Sequence, residues 1–149
     1  MSSPTELEEM AAASASIIAH VSVGSNDYDK AIAFYDKIMT TLGAVRIVEV
    51  PGFAVAYGKQ FPEFWVQKPY DGGKAQRANG THFAFLADSK EAVEAFYEAG
   101  IRAGASCDGQ PGPRPDYSDA YYGCFLRDPE GHKIEAMYWD YALAPVSAA

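Results

Sequence analysis

Cysteine and histidine are scarce in this chain, and positive charge is in the minority. Its 149 residues include two cysteines and three histidines, and 12 Lys+Arg stand against 20 Asp+Glu for a formal charge of −8. With no basic cluster against that background, a nucleic-acid ligand and an anionic membrane surface are both excluded as expected partners. No apolar run approaches the length of a membrane span. Cys107 and Cys124 form no Cys-x-x-Cys pair and read as reduced, small apolar side chains of an intracellular protein rather than as a disulfide framework. Glu6, Glu8 and Glu9 stand where a signal peptide would be basic, so a cytoplasmic protein is expected. What is abundant is apolar: 48% of residues are hydrophobic and 13% aromatic, enough for one continuous core in one domain.

Two of the three histidines open similar stretches. His20 is followed by a strand, a turn and a helix carrying Ala33-Phe34-Tyr35, and His82 by the same succession and Ala95-Phe96-Tyr97. The offset is 62 residues at both ends of the stretch, with no gap. A period of this kind marks a duplicated unit.

The pattern predicts a mobile tail over 1–15, then a strand over 17–23 with Ile18, His20 and Ser22 on one face. Gly24-Ser25-Asn26-Asp27 starts a helix over 28–42, whose stripe is Ala31, Phe34, Tyr35, Ile38 and Leu42 and whose stop is Gly43. Three extended pieces follow, over 45–50, 53–57 and 64–68, closed by Pro51-Gly52, Gly58-Lys59 and Pro69. Residues 70–80 read as a polar linker. The second unit repeats the order: strand 81–86, caps at Asp88 or Ser89 with Glu91 in capping-box position to Asp88, and helix 90–103 ended by Gly104. A strand over 105–108, a proline-rich loop over 109–119, a strand over 121–127, the turn Asp128-Pro129-Glu130-Gly131 and a strand over 133–138 complete it. The expectation is an α+β fold of two paired βαβββ units in one domain over 16–141, with a tail over 142–149.

Equivalent first strands become symmetry mates. If the sheets curl toward each other, His20 and His82 face one cavity. Two imidazoles and a carboxylate on adjacent strands make a facial triad with open positions, and Glu135 on the last strand is the carboxylate candidate. Taken singly, each histidine is an ordinary strand residue and Glu135 a solvated acid. The equal spacing within a repeat is what favours joint use. His132 sits in a turn and reads as structural.

The residues also carry a resemblance. The span 17–138 resembles the vicinal oxygen chelate superfamily, which includes glyoxalase I, extradiol ring-cleaving dioxygenases, fosfomycin-resistance proteins and bleomycin-binding proteins. Its marks are His20, the helix segment from Ala31 to Tyr35 leading to Leu42-Gly43, His82, and above all Phe125-Leu126-Arg127-Asp128-Pro129-Glu130-Gly131-His132-Lys133-Ile134-Glu135. The resemblance implies a curled mixed sheet around a U-shaped cleft. It implies one divalent metal ion (Zn, Ni, Mn or Fe) on His20, His82 and Glu135, with Glu135 also the catalytic proton shuttle. Glyoxalase-like members carry Glu or Gln on the last strand of the first unit as a further ligand. Counting back from Pro69 puts Trp65 there, with Gln67 able to reach the metal if the register slips by two. Trp65, Tyr121 or Tyr122 (Tyr122 preferred), Arg114 and Tyr117 are expected to line the substrate side, Arg114 as a grip for carboxylate or phosphate.

The leading functional expectation is a glyoxalase-like, metal-dependent isomerase or lyase acting on a small oxygen-chelating substrate. A second is an extradiol-type dioxygenase with a His-His-Glu iron site. A third, which Trp65 favours, is a metal-free binding or resistance protein. A domain serving assembly alone ranks last. The units of such proteins pair within one chain or across two, so a homodimer is compatible with the sequence.

Overall fold

The computed structural model describes residues 16–143; the expected tail over 1–15 and residues 144–149 lie outside them. The described chain runs β1 Val21–Gly24, α1 Tyr28–Thr41, β2 Val45–Val50, β3 Ala54–Gly58, β4 Phe64–Gln67, then β5 His82–Leu86, α2 Lys90–Arg102, β6 Ser106–Pro113, β7 Tyr121–Arg127 and β8 Lys133–Trp139. The order βαβββ occurs twice. Each unit forms its own four-stranded mixed sheet, β1-β4-β3-β2 and β5-β8-β7-β6, in which the first strand lies parallel to the last. The sheets curl without closing. Among the described residues no helix is long and apolar enough to cross a membrane.

The helices start and stop where local chemistry directs. The Asp27 carboxylate accepts from Lys30 N at 3.1 Å, and the Ser89 hydroxyl from Ala92 N at 3.0 Å. Ser89 rather than Asp88 is therefore the cap, and Asp88 instead meets Lys59 of the first unit at 3.2 Å. Gly43 (φ 71°) and Gly104 (φ 107°) adopt the left-handed turn that ends each helix. Phe34, Tyr35, Ile38, Val93 and Phe96 turn inward and meet Val55, Val66, Phe64, Leu126 and Ile134 from the sheets in one hydrophobic cluster drawn from both units.

Two expected boundaries are corrected. Residues 17–20 are not strand. The first bond of β1 runs from Val21 N to Glu63 O at 3.0 Å, and β4, its neighbour, begins only at Phe64 after Pro62. Upstream residues have no ladder to join, and Ile17 and Ile18 are exposed. Conversely, β6 continues to Pro113 through what reads as a loop. It is an edge strand with register shifts between Cys107 and Gly109 and between Gly109 and Gly112. Pro111 and Pro113 are tolerated because an edge needs no outward N–H.

The units are tied by the β7–β8 turn. Asp128, 5% exposed, accepts from the backbone N–H of Glu130 (2.9 Å) and of His132 (2.8 Å) through one oxygen and from the Tyr35 hydroxyl through the other, at 2.6 Å. Glu130 reaches the start of α1, accepting from the Ser25 hydroxyl (2.9 Å), Asn26 N (2.6 Å), Asp27 N (3.3 Å) and Asn26 Nδ2 (3.1 Å). His132 Nε2 bonds Gly24 O at 2.7 Å. Asn26 also pins the linker, donating to Ala75 O at 3.0 Å and accepting from Ala75 N at 2.8 Å.

Burial on its own would raise the Glu130 pKa, but the bonds from Asn26, Ser25 and Asp27 outweigh it and hold the carboxyl below its usual value of 4.5. A group depressed in this way contributes its stability above the unfolded value and loses it as pH falls through the folded one. Glu130→Ala should cost about 1–3 kcal/mol, the penalty of leaving its donors unpaired, and should flatten the acid limb of the stability curve below the ordinary carboxylate range. Urea melts between pH 7 and pH 3 read both effects. Gly100, in α2, lies where an added Cβ would clash with Leu126 Cδ1. Gly100→Ala gains roughly 1 kcal/mol of helix propensity but meets an overpacking cost of about 1–3 kcal/mol. A net loss of midpoint stability is expected, smaller when combined with Leu126→Val.

Candidate functional site

The outer face of the second sheet carries the richest cluster. Register sets it: His82 pairs with Lys133, Ala84 with Glu135, and Phe125 with Glu135 from the other side. Alternation then places Glu135, Phe125 and Tyr121 on one face, while Ile134, Ala136 and Leu126 face the helices. His82, Asp108, Gly109, Arg114, Tyr117, Tyr121, Phe125, Lys133 and Glu135 surround an open cavity of about 610 Å3.

At its floor Glu135 is 7% exposed. Its Oε1 lies 3.3 Å from His82 Nε2, and its Oε2 accepts the Tyr121 hydroxyl at 2.9 Å. Burial, and then the bond to Glu135, push the Tyr121 phenol above its ordinary value, so it remains a donor. The tyrosine thereby orients one carboxylate oxygen and leaves the other to point with the imidazole at the cavity. Tyr117 meets Tyr121 edge to face, with ring centroids 5.1 Å apart.

The expected residues divide between two places. His82, Glu135, Arg114 and Tyr117 come together. His20 precedes β1 in the first unit, its ring 6.2 Å from that of Trp65 at an interplanar angle of 64°. Gln67 is two residues further along β4 on the same side of the first sheet as Trp65. Tyr122, expected at the cleft, points the opposite way: it packs against the core cluster and its hydroxyl donates to Glu94 at 2.7 Å. Its neighbour Tyr121 holds the place, and counting back from the tight turn to the partner of Glu135 would have chosen it. His132 serves the turn.

Among the described residues no group of three or more His, Cys, Asp and Glu side chains is placed to hold a metal ion. One chain supplies a converging imidazole and carboxylate, which fit a divalent ion as two of its ligands. The repeat explains the gap on the first sheet. Ser22 pairs with Trp65 as Ala84 pairs with Glu135, and Ser22 and Ala84 are 62 residues apart. An indole thus occupies the position equivalent to the Glu135 carboxylate, its Nε1 bonded to Pro62 O at 3.2 Å.

Two βαβββ units, each with its own four-stranded mixed sheet and packed on one shared core, define the class of fold. Residues 17–136 match the family model of the Glyoxalase/Bleomycin resistance protein/Dioxygenase superfamily, and the chain belongs to that family. Among solved structures it is similar to a glyoxalase/bleomycin resistance protein from Albidiferax ferrireducens T118, at 34% identity and TM-score 0.74 over 84% of this chain and all (100%) of that one. It is similar in fold to a glyoxalase/bleomycin resistance protein/dioxygenase family enzyme from Burkholderia phytofirmans PsJN (18%, TM-score 0.64, covering 84% and 100%). A lactoylglutathione lyase from Agrobacterium tumefaciens shares the fold at 22% identity and TM-score 0.57, over 85% of this chain and 95% of that one. No curated protein matches the chain.

Removing the Tyr121 hydroxyl leaves a nearly buried carboxylate short of a donor. Tyr121→Phe should destabilise the fold by about 1–3 kcal/mol, measured by denaturant unfolding.

Proposed function

We propose that this chain is a glyoxalase-like enzyme that acts on a small oxygen-chelating substrate with the help of one divalent metal ion. The observation that carries the reading is the His82–Glu135 pair at the floor of an open cavity, with Tyr121 fixing the carboxylate. His82 and Glu135 would hold the ion, His20 would complete the set, and the ion would polarise the substrate oxygens as a Lewis acid. Glu135 is the group in reach to take a proton from carbon and return it, in an isomerase- or lyase-type reaction. Tyr121 keeps its unshared oxygen aimed at the cavity. Phe125 forms an apolar wall of the cavity, with Tyr117 at its exposed rim.

His20 lies with the first unit and does not join the His82–Glu135 pair, so we place it at the site of a second copy, in a homodimer. What supports this is that the first-unit edge near Ile18 and the second-unit edge at Leu86 both leave large apolar side chains exposed, 67% in each case, flanking a groove lined by Val21, Phe64 and Phe83. The free thiols of Cys107 and Cys124 suit a reducing, cytoplasmic setting.

Two other readings are less favoured. A ring-cleaving dioxygenase would need a further acid/base histidine, and His132 is committed to Gly24 O. A metal-free binding or resistance protein is favoured by one feature, the Trp65 indole in the equivalent ligand position. Elemental analysis of protein purified without chelator separates these. About one Zn, Ni or Mn per site, lost in His82→Ala, supports the enzyme reading; iron moves it toward ring cleavage. No uptake of any added ion makes the binding protein the better account. The dimer has its own test. Mixing His20→Ala with His82→Ala protein should restore one complete site per mixed dimer, because one of its two sites draws both histidines from intact copies. No restoration after subunit exchange places both ligands in one chain.

A further inference from the structure

The cavity on the second sheet also gathers two cations, Arg114 and Lys133, and we propose that they form an anion seat. Its ligand is a small hydroxy or oxo acid whose carboxylate or phosphate tail rests between Arg114 and Lys133, while its chelating oxygens face His82 and Glu135. The inference rests on the site reading above and narrows it to a substrate class.

Charge is the first observation. In a chain of net −8 this cavity gathers Arg114 and Lys133 against Asp108 and Glu135. Asp108 is already shared: the same oxygen lies 3.0 Å from Arg127 Nε and 3.5 Å from Lys133 Nζ. Glu135 is engaged by His82 and Tyr121. Among the described residues Arg114 has no carboxylate partner.

Preorganisation is the second. Arg114 is held in place by its own strand, donating through Nη2 to Gln110 O at 2.8 Å and through Nη1 to Pro113 O at 3.1 Å. Its guanidinium carbon lies 5.8 Å from the Phe125 ring centroid, and the Lys133 ammonium 5.0 Å from the same centroid. Edge strand β6 makes room for it. A Cβ at Gly109 would come within 3.2 Å of Nη2 and 2.9 Å of Phe125 Cδ2, and one at Gly112 within 3.3 Å of Nη1. Two glycines form the trough in which the guanidinium lies. A guanidinium has five N–H donors, and two are used on carbonyls. The rest remain for a ligand, and because the side chain is already ordered, binding does not have to immobilise it.

Size agrees with a small ligand. A cavity of about 610 Å3 is within the range of small-molecule pockets.

The test is calorimetric titration of the native protein, with and without added Zn, using three probes that share an α-hydroxy-acid end. Lactate has no charged tail, malate adds a carboxylate and 3-phosphoglycerate adds a phosphate. The tailed acids should bind the zinc-loaded protein at least about tenfold more tightly than lactate, the factor carried by a charge-assisted hydrogen bond. The ratio should collapse toward one in Arg114→Met and in Lys133→Met, with Arg114→Lys retaining part of it. Whichever tail gains more identifies carboxylate or phosphate as the better fit. If the zinc site fails but the tailed acids still bind metal-free protein through Arg114, the seat stands and the metal reading falls. Equal affinity for all three probes, a preference that survives both Met variants, or no binding of any probe in either state overturns the seat.

Discussion

The structure turns on the carboxylate of Asp128. It is almost fully withdrawn from water, and a buried carboxylate is tolerated only where hydrogen bonds replace its hydration. Three donors do so: two backbone N–H groups of its own turn and the Tyr35 hydroxyl of the other unit. The first two shape the turn between β7 and β8, and the third fastens it to α1. Glu130 and His132, projecting from the turn so formed, add the bonds to residues 25–27 that lead into α1 and the bond to Gly24. The two strands that leave the turn carry Tyr121 and Glu135. The placement of the candidate site in the molecule thus follows from the satisfaction of one buried charge. Burial, then the bond to Asp128, hold the Tyr35 phenol well above its ordinary value, so this donor does not titrate away.

Much of this architecture was legible because it depends on local signals. Apolar stripes at helical spacing, polar caps and the glycines at 43 and 104 placed both helices within a residue or two. The repeat of His-strand-helix over 62 residues placed both units. The misreadings share a cause, which is that strands are defined by neighbours. Residues 17–20 have strand composition and no partner beside them, and the prolines of β6 read as loop until the strand is known to lie at an edge. At the site, the pairing of His82 with Glu135 follows from strand order, which the repeat implied. Tyr121 was recoverable from parity alone, since residues 121, 123 and 125 share the face of Glu135 once the tight turn fixes the hairpin register. The inward lay of Arg114 was not recoverable. It depends on the missing side chains of Gly109 and Gly112, and no periodicity announces a trough.

The repeat is also less symmetric than its sequence suggests. His20 and His82 remain equivalent, but the carboxylate facing one has become the indole facing the other. Each unit therefore brings a different part to chemistry: the second an oriented carboxylate with its cavity, the first an imidazole backed by an aromatic wall. The tie at Asp128 is one-sided too, since the first unit has no Asp-Pro-Glu-Gly turn of its own.

That one-sidedness has a kinetic meaning. Tyr35 and Asp128 stand 93 residues apart in the chain, Ser25 and Glu130 105, and Gly24 and His132 108. Contacts between residues so distant are made only after the entropy of closing the intervening chain has been overcome. The helices and hairpins of each unit form from near neighbours, so they can precede the tie. During synthesis the residues leading into α1 emerge with their bonds to Glu130 still unmade and wait for nearly the whole of the second unit. Of the strands described, the last to be synthesised is β8, which carries Glu135, so the tie at Asp128 and the site are completed by the same late docking event.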